Sequence, residues 1–283
     1  MIPYMKRFCC LVVLSLLTAC ADPLTLGGRL ETAQNIASQG GLQPLTVQTL
    51  HYNIATWQKI SQAGAPLHVY IEGDGQAWVS RSTPSRNPTP TDPIALTLAS
   101  LDPAPNIVYL ARPCQYTPLE QSPACTVRSW TSQRFSEEII QGMDTALSRI
   151  TQGLQNPALD LIGFSGGGNI ALLLAARRSD IASVRTVAGN IDITAFNALH
   201  HTSPMPDSLN SADFADRLKT IPQRHFIGVQ DDIVPPVIYQ SYAKALNSAP
   251  CLKLTLVPAA THTEGWESVW PALLKESVSC ETK

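Results

Sequence analysis

The stretch LDLIGFSGGGNIALLLAA, residues 159–176, decides the fold. Its first residues are mostly apolar and predict a short buried strand, and the residues from Ile170 onward predict an apolar helix. Between them, Gly163, Ser165 and Gly167 form the pattern G-x-S-x-G. Glycines suit a sharp strand-to-helix turn because they have no Cβ and accept positive φ. The pattern therefore predicts that Ser165 is a nucleophile presented at the end of a strand.

Length and composition bound the class of protein. The chain has 283 residues, of which 44% are hydrophobic and 15% are charged, and its formal net charge is −2. These values are typical of a folded core rather than a disordered chain, and the length suits one large α/β domain or two small ones. The longest basic runs are Lys6-Arg7 and Arg177-Arg178, so nucleic acid is not expected as a partner.

Strands and helices alternate from Leu67 onward, which predicts an α/β fold with a mostly parallel central sheet of about eight strands and helices on both faces. A hairpin at the sheet edge is expected before it. The predicted strands are residues 45–50, 52–60, 67–71, 106–110, 184–188, 224–229 and 252–257, together with the one before Ser165. The predicted helices include 94–101, 139–150, 236–246 and a final amphipathic helix over 265–278. The polar excursion 192–221 is a candidate small cap.

The N-terminus is predicted to be a targeting segment. Lys6 and Arg7 form a positive region, and the apolar stretch Phe8–Leu17 is short for a membrane span. Leu17-Thr18-Ala19-Cys20 resembles the lipobox of bacterial lipoproteins. The alternatives are a plain secretory signal cleaved near Ala19, or a segment that stays as an anchor.

The lipobox resemblance implies a signal peptide over residues 1–19 and acylation of Cys20. Ala21 rather than Asp after this cysteine implies, by the lipoprotein sorting rule, an outer-membrane protein that faces the periplasm. Residues 20–44 are then expected to form a tether, with a helix at 30–38. The membrane is expected as a partner through this lipid.

Four cysteines remain after cleavage and acylation. An even number in an exported chain predicts two disulfides, for which three pairings are open. Cys114–Cys125, which closes a short loop, and Cys251–Cys280, which ties the last strand to the final helix, are favoured over the others and over free thiols. The spacings match no zinc pattern, so neither a metal nor a cofactor is expected.

A serine nucleophile needs a histidine base, which in turn needs an orienting acid. His262 follows the predicted strand 252–257, at the sheet edge where parallel folds place their sites. His225 begins an apolar strand and reads as a core residue. His200 and His201 lie in the polar excursion, where a solvated or substrate-contacting role is expected instead.

The sequence around the candidate acid resembles a motif of a known superfamily. Gly228, Asp231, Val234 and Pro235 match the G-x-x-D-x-x-V-P motif that the α/β-hydrolase superfamily often shows at this place, and the resemblance covers roughly residues 45–279. It implies an α/β-hydrolase domain over 45–283 and selects Asp231 over its neighbour. The neighbouring Asp232 and the earlier Asp192, which follows the preceding strand, remain as alternatives.

The resemblance also implies an oxyanion hole. One donor is the backbone N–H of Gly166, and the other comes from the loop after strand 67–71. Many members carry His-Gly in that loop, whereas this chain has Glu72-Gly73-Asp74-Gly75. Alignment selects the N–H of Asp74, with that of Gly75 as the alternative. An acidic side chain beside an oxyanion needs neutralising, for which Arg112 and Arg81 are the candidates.

Together these residues predict a lipid-anchored serine hydrolase that cleaves carboxylic esters, either small molecules or lipids, through an acyl-enzyme. Loops 76–92 and 192–221 are expected to shape its pocket. A peptidase or thioesterase of the same fold is an alternative within the enzyme class. A non-catalytic envelope lipoprotein that uses the fold for binding is the alternative outside it. The sequence does not indicate which oligomeric state the protein has.

Overall fold

The central sheet has eight strands in the spatial order β1-β2-β4-β3-β5-β6-β7-β8. The computed structural model describes residues 25–155 and 157–280. Strands β1 and β2 form an antiparallel hairpin, β2 pairs antiparallel with β4, and the other pairs are parallel. The predicted α/β class, the edge hairpin and the mostly parallel sheet are confirmed. The strands are β1 (Gln43–Gln48), β2 (Asn53–Ile60), β3 (Leu67–Ile71), β4 (Asn106–Leu110), β5 (Leu159–Phe164), β6 (Ile181–Val187), β7 (Gln223–Gly228) and β8 (Leu252–Val257).

Helices cover both faces of this sheet. One core cluster contains residues of α4, α5 and α8, and a second cluster on the other face contains residues of α1, α2 and α9. The helices are α1 (Leu26–Gln39), α2 (Ile94–Ser100), α3 (Val127–Trp130), α4 (Glu137–Thr151), α5 (Gly166–Ala175), α6 (Ile193–Leu199), α7 (Ala215–Leu218), α8 (Pro236–Ala245) and α9 (Trp270–Leu273). Two short 3-10 turns occupy Leu119–Gln121 and Ser211–Phe214.

The parallel strands bring distant loops to one edge. In register, Ile71 of β3 pairs with Gly163 of β5, and Phe164 of β5 pairs with Val187 of β6. The loops that follow β3, β5, β6, β7 and β8 therefore leave the same carboxyl edge of the sheet. Open parallel sheets carry their functional groups at this edge.

The helix expected at 30–38 is present within α1, but the expectation that this segment is a tether is wrong from residue 26 onward. Helix α1 packs on α2, and Ala33, Ala37 and Leu42 are fully buried in the second core cluster. The Thr25 side chain caps the helix by accepting from the N–H of Gly28. Small apolar residues one helical turn apart provide this contact, so α1 belongs to the folded domain.

The predicted final helix over 265–278 is also wrong in extent, since only Trp270–Leu273 is helical. Pro271 fits the first turn of a helix but would clash with a carbonyl one turn earlier, so the helix cannot extend toward Gly265. Beyond the helix, Arg224 binds the Glu276 carboxylate at 2.7 Å and the Ser277 carbonyl at 2.8–2.9 Å. These contacts draw the chain against β7 instead of continuing the helix.

Both favoured disulfides are present in the structure. Cys114 pairs with Cys125, and Cys251 pairs with Cys280. The excursion 192–221 packs on α5, where the buried Asn169 side chain donates to the Leu209 carbonyl and accepts from the Ser211 N–H. Over the described ranges, no helix is long and apolar enough to cross a bilayer. The targeting segment and Cys20 lie outside the described residues.

Candidate active site

Ser165 stands on a strained turn between β5 and α5. Its φ is +50° and its ψ is −121°, a backbone conformation that L-residues rarely adopt. A Cβ on Gly163 would lie 2.3 Å from the Gly167 carbonyl oxygen, and one on Gly167 would lie 2.3 Å from that of Ile71. The glycines of the G-x-S-x-G pattern are therefore required by close backbone contact. This contact seats the serine beside the loop after β3.

A continuous chain of hydrogen bonds joins Ser165 to a carboxylate. Ser165 Oγ lies 3.0 Å from His262 Nε2, and His262 Nδ1 lies 3.0 Å from Asp231 Oδ2. The His262 side chain is 11% exposed and that of Asp231 is fully buried. The three residues come from the loops after β5, β8 and β7, so the structure brings the predicted set together at one edge.

Asp231 is held in place by its own loop. Its Oδ1 accepts from the backbone N–H groups of Ile233 at 2.9 Å and Val234 at 2.8 Å. Burial by itself raises the pKa of Asp231, but the hydrogen bonds and the charge interaction with His262, together with these backbone donors, outweigh burial and hold the pKa below its usual value. The carboxylate is thus ionised and aimed at the imidazole.

The two alternative acids, Asp232 and Asp192, occupy positions different from that of Asp231. Asp232 is exposed to solvent. Asp192 caps α6 by accepting from the N–H of Ala195 at 3.1 Å, and its other oxygen accepts from Ser241 at 2.7 Å. Neither has a hydrogen bond with His262 in the described part of the chain, so the geometry favours Asp231.

The other histidines lie elsewhere. His225 is buried in β7, where its Nδ1 lies 2.8 Å from Thr186 Oγ1, and burial lowers its pKa to about 3. His200 Nε2 donates to the Ile233 carbonyl at 2.7 Å and so supports the loop that holds the acid. His201 is exposed at the end of α6, with a φ of +53°.

The two residues expected to form the oxyanion hole, Gly166 and Asp74, lie together. The N–H of Gly166 opens α5 and has no partner within the helix. A Cβ on Gly166 would lie 2.2 Å from Asp74 Oδ1, so the carboxylate lies directly against this glycine. Arg112 Nη1 donates to the same oxygen at 3.0 Å, whereas Arg81 is exposed. Of the two candidate arginines, Arg112 is the one that pairs with Asp74.

A second arginine was not predicted. Arg134 Nε lies 2.9 Å from Asp74 Oδ2, so one carboxylate faces two guanidinium groups. Both arginines are buried and stack on the Phe135 ring, at 5.0 and 5.1 Å from its centroid. Arg134 lies just before α4, and no local pattern around it signals this contact. Only the need to neutralise a carboxylate beside the nucleophile would have suggested a further cation.

Glu72 fixes the backbone of the loop after β3, residues 72–75, through its buried side chain. Its carboxyl is buried, accepts from the N–H of Gly73 at 2.9 Å and accepts from the Tyr109 hydroxyl at 3.0 Å. Burial raises the pKa of Glu72 to about 7, and these two hydrogen bonds oppose part of the rise. The loop backbone is therefore tied to a carboxyl group that titrates near neutrality. Within the described ranges, no group of three His, Cys, Asp or Glu side chains could hold a metal ion.

Known structures share this fold. The esterase Pf2001 of Pyrococcus furiosus is 13% identical with a TM-score of 0.58, over 83% of this chain and 88% of that one. Est1E of Butyrivibrio proteoclasticus is 16% identical with a TM-score of 0.54, over 81% and 95%. The acylaminoacyl peptidase of Pyrococcus horikoshii is 11% identical with a TM-score of 0.57 over 78% of this chain, which spans only 37% of the peptidase's length. At such identities the similarity shows the α/β-hydrolase fold alone.

Sequence comparison identifies the family. No curated protein matches the chain. The profile described as Serine hydrolase (FSH1) matches residues 100–257, a segment that includes Ser165 and Asp231 and ends before His262. The match covers more than half of the chain. The chain therefore belongs to the FSH1 serine hydrolase family.

Proposed function

We propose that this enzyme hydrolyses carboxylic esters through an acyl-enzyme on Ser165, with His262 as base and Asp231 as orienting acid. The observation that carries the proposal is the unbroken hydrogen-bond chain from Ser165 Oγ to Asp231 Oδ2, with both bonds at 3.0 Å. A serine, a base and a buried acid in this geometry are the parts that acyl transfer needs.

In the acylation step, Ser165 Oγ attacks the ester carbonyl carbon while His262 Nε2 takes the hydroxyl proton. The tetrahedral intermediate then breaks its bond to the alcohol oxygen, which receives that proton from His262. In deacylation, a water molecule attacks the acyl-serine with the same base, and the carboxylic acid leaves. Asp231 stays ionised throughout and stabilises the imidazolium.

The oxyanion of each intermediate is proposed to accept from the backbone N–H groups of Gly166 and Asp74. Backbone donors fixed before reaction lower the barrier because they need no reorganisation as charge develops. The Asp74 side chain is kept from repelling the oxyanion by Arg112 and Arg134, which leave the cluster with a net positive charge. Gly75 remains the alternative donor.

Esters are favoured over peptides as substrates. The chain covers 88% and 95% of the lengths of the two esterase structures that it resembles, but only 37% of the peptidase. The missing length in the peptidase comparison means that the similarity extends to only part of that protein. Small-molecule or lipid esters are therefore the substrate class to test first, with amides and thioesters as comparisons.

The enzyme is further proposed to be exported and anchored by acylation of Cys20, at the periplasmic face of the outer membrane. The lipobox-like Leu17–Cys20 segment supports this proposal. The two disulfides support it independently, because disulfides persist in oxidising compartments. Cys20→Ser is expected to release the protein from the membrane fraction. Continued membrane association of that variant would exclude this residue as the anchor.

A fluorophosphonate probe tests the catalytic proposal. We expect an adduct on Ser165 and no labelling of Ser165→Ala. Asp231→Asn is expected to lower kcat by about 10⁴-fold, because the imidazole loses its orienting acceptor. The matched control is Asp232→Asn, which changes the adjacent exposed carboxylate and should leave kcat within about twofold of the native value.

The choice of base is tested in the same assay. His262→Ala should abolish labelling, whereas His200→Ala and His201→Ala should retain it. An unlabelled native protein that folds normally would contradict the enzyme mechanism and favour a binding role. Loss of labelling in His201→Ala alone would show that the base was assigned wrongly.

A further inference from the structure

A short hairpin projects from the edge of the sheet that carries Ser165. We call residues 78–86 the finger. The Val79 N–H donates to the Thr83 carbonyl at 2.9 Å, and Trp78 forms a bridge with Pro84. The finger exposes two large apolar side chains on its first strand, since Trp78 is 42% exposed and Val79 is 68% exposed. Two arginines of the finger, Arg81 and Arg86, are also exposed.

The base of the finger adjoins the loop after β3, residues 72–75. The Gln76 N–H donates to the Pro88 carbonyl at 3.0 Å and closes the finger at its foot. A Cβ on Gly75 would lie 2.2 Å from that same carbonyl oxygen, so the foot is in contact with the residue after Asp74. The finger and the entrance to Ser165 therefore share one edge of the molecule.

The N-terminal turn of α1 contacts the same region. Arg29, in the first turns of α1, donates from Nη1 to the Thr89 carbonyl at 2.5 Å, next to the foot of the finger. Helix α1 begins just after Thr25, and five peptide units separate that residue from Cys20. Five units span at most about 18 Å even when fully extended. An acyl group on Cys20 would thus hold Thr25, the residue that caps α1, within about 18 Å of the acylated cysteine.

We propose that the finger docks on an anionic phospholipid surface and that the entrance to Ser165 faces the membrane leaflet that carries the anchor. The inference rests on the acylation of Cys20 included in the proposed function. Tryptophan is enriched at the headgroup level of bilayers, where its amphipathic ring is stable. Arginines near an anionic leaflet add electrostatic attraction. A finger with an exposed indole, a valine and two guanidinium groups matches this partner, and the substrates would be amphiphilic esters that arrive along the surface.

The tryptophans of the chain provide a selective probe. The chain has five, and Trp78 is the one that is exposed. The others are 5% exposed or less, namely Trp57, Trp130, Trp266 and Trp270. The full chain, purified from membranes and reconstituted into phosphatidylethanolamine–phosphatidylglycerol vesicles with brominated acyl chains, should show quenched Trp78 emission. Trp78→Phe should abolish the quenching.

Two variants sharpen this measurement. Arg81→Gln with Arg86→Gln should reduce the quenching by about half or more, because each arginine contributes to attraction by the anionic surface. Trp78→Phe with Ile60→Trp moves the probe to a site of similar exposure, 40%, at the opposite edge, since Ile60 pairs with the first residue of β4. This second variant should show no quenching by brominated lipid.

Other quenching results would overturn the proposed docking of the finger. Equal quenching at positions 78 and 60 would indicate non-specific adsorption. Protection of Trp78 from acrylamide in detergent that grows with protein concentration, without quenching by lipid, would assign the finger to a second copy of the chain. Fluorophosphonate labelling in the same vesicles separates the two proposals. Labelling without quenching contradicts the docking surface only, and quenching without labelling contradicts the hydrolase only.

Discussion

At the scale of single residues, Asp74 is the unusual feature of the site. A carboxylate lies against Gly166, where negative charge would develop during acyl transfer, and two buried arginines neutralise it. Coulomb interactions over a few ångströms are strong in a buried setting, so in the proposed mechanism we expect the balance of charge in this cluster to affect the transition state directly. The cluster therefore couples the oxyanion side of the site to the segment before α4.

Arg134→Gln tests this coupling. The variant removes one positive charge and should lower kcat by about tenfold with little change in KM, because the remaining charge is felt mainly in the transition state. Adding Asp74→Asn to Arg134→Gln removes the opposing charge and should restore most of kcat. Steady-state kinetics on a soluble short-chain ester, with Tm as a check on folding, measure both. Failure of Asp74→Asn to restore kcat would assign Arg134 to packing on Phe135 alone.

Glu72 makes a pH-dependent contribution to stability. Its pKa is raised from 4.5 to about 7 by burial, so between these values the folded protein holds a proton that the unfolded chain has released. The free energy of unfolding should therefore fall as pH rises from 4.5 to 7, by about 3 kcal/mol from this group. Glu72→Gln should lose less stability over the same interval. Denaturant titrations across that pH range test this, and parallel curves for the two proteins would contradict it.

At the scale of elements, the turn from β5 to α5 depends on Gly163 and Gly167. The Ile71 carbonyl oxygen would lie 2.3 Å from a Cβ on Gly167, and backbone atoms cannot move aside cheaply. Gly167→Ala should lower the free energy of unfolding by about 3 kcal/mol or more. Gly153→Ala, where a Cβ would meet nothing within 4 Å, is the matched control and should change it by less than about 0.5 kcal/mol. Similar denaturation curves for both variants would contradict the close contact.

The difference between features decided by sequence neighbours and features decided by tertiary contacts explains what the sequence could predict. The strand before Ser165, the helix after it and the Asp231 loop were predicted because each depends on neighbours in the chain. A helix over 30–38 was expected and is present within α1, but its packing on α2 and the shortening of α9 were not predicted, because a tertiary contact and the position of Pro271 decide them. Arg134 was missed for the same reason, since its partner lies 60 residues earlier and no local spacing records the contact.

At the scale of the whole molecule, two core clusters on opposite faces of one sheet hold the site loops at a common edge. The Cys114–Cys125 disulfide adds to this by closing part of the loop between β4 and α3, with Cys114 fully buried. A crosslink over a sequence separation of 11 stabilises chiefly by limiting the unfolded chain.

Replacing both Cys114 and Cys125 with Ser should therefore lower the free energy of unfolding by about 3 kcal/mol. The loss follows from the extra freedom of the unfolded chain and should appear in denaturant titrations of the oxidised protein. Under reducing conditions, the native protein should lose the same contribution of this crosslink to the free energy of unfolding. An unchanged midpoint in the serine variant would show that the crosslink is neutral.

The second disulfide has a consequence for proteolysis. Cys251 and Cys280 close a covalent ring that contains β8, α9 and His262. A protease that cuts an exposed bond of this ring before His262, for instance beside Ala259, divides the polypeptide but leaves both pieces joined through sulfur. In the oxidised protein the histidine therefore stays attached beside its serine after a single cut, and only reduction separates them. The enzyme can thus be cut there without losing His262 from the neighbourhood of Ser165.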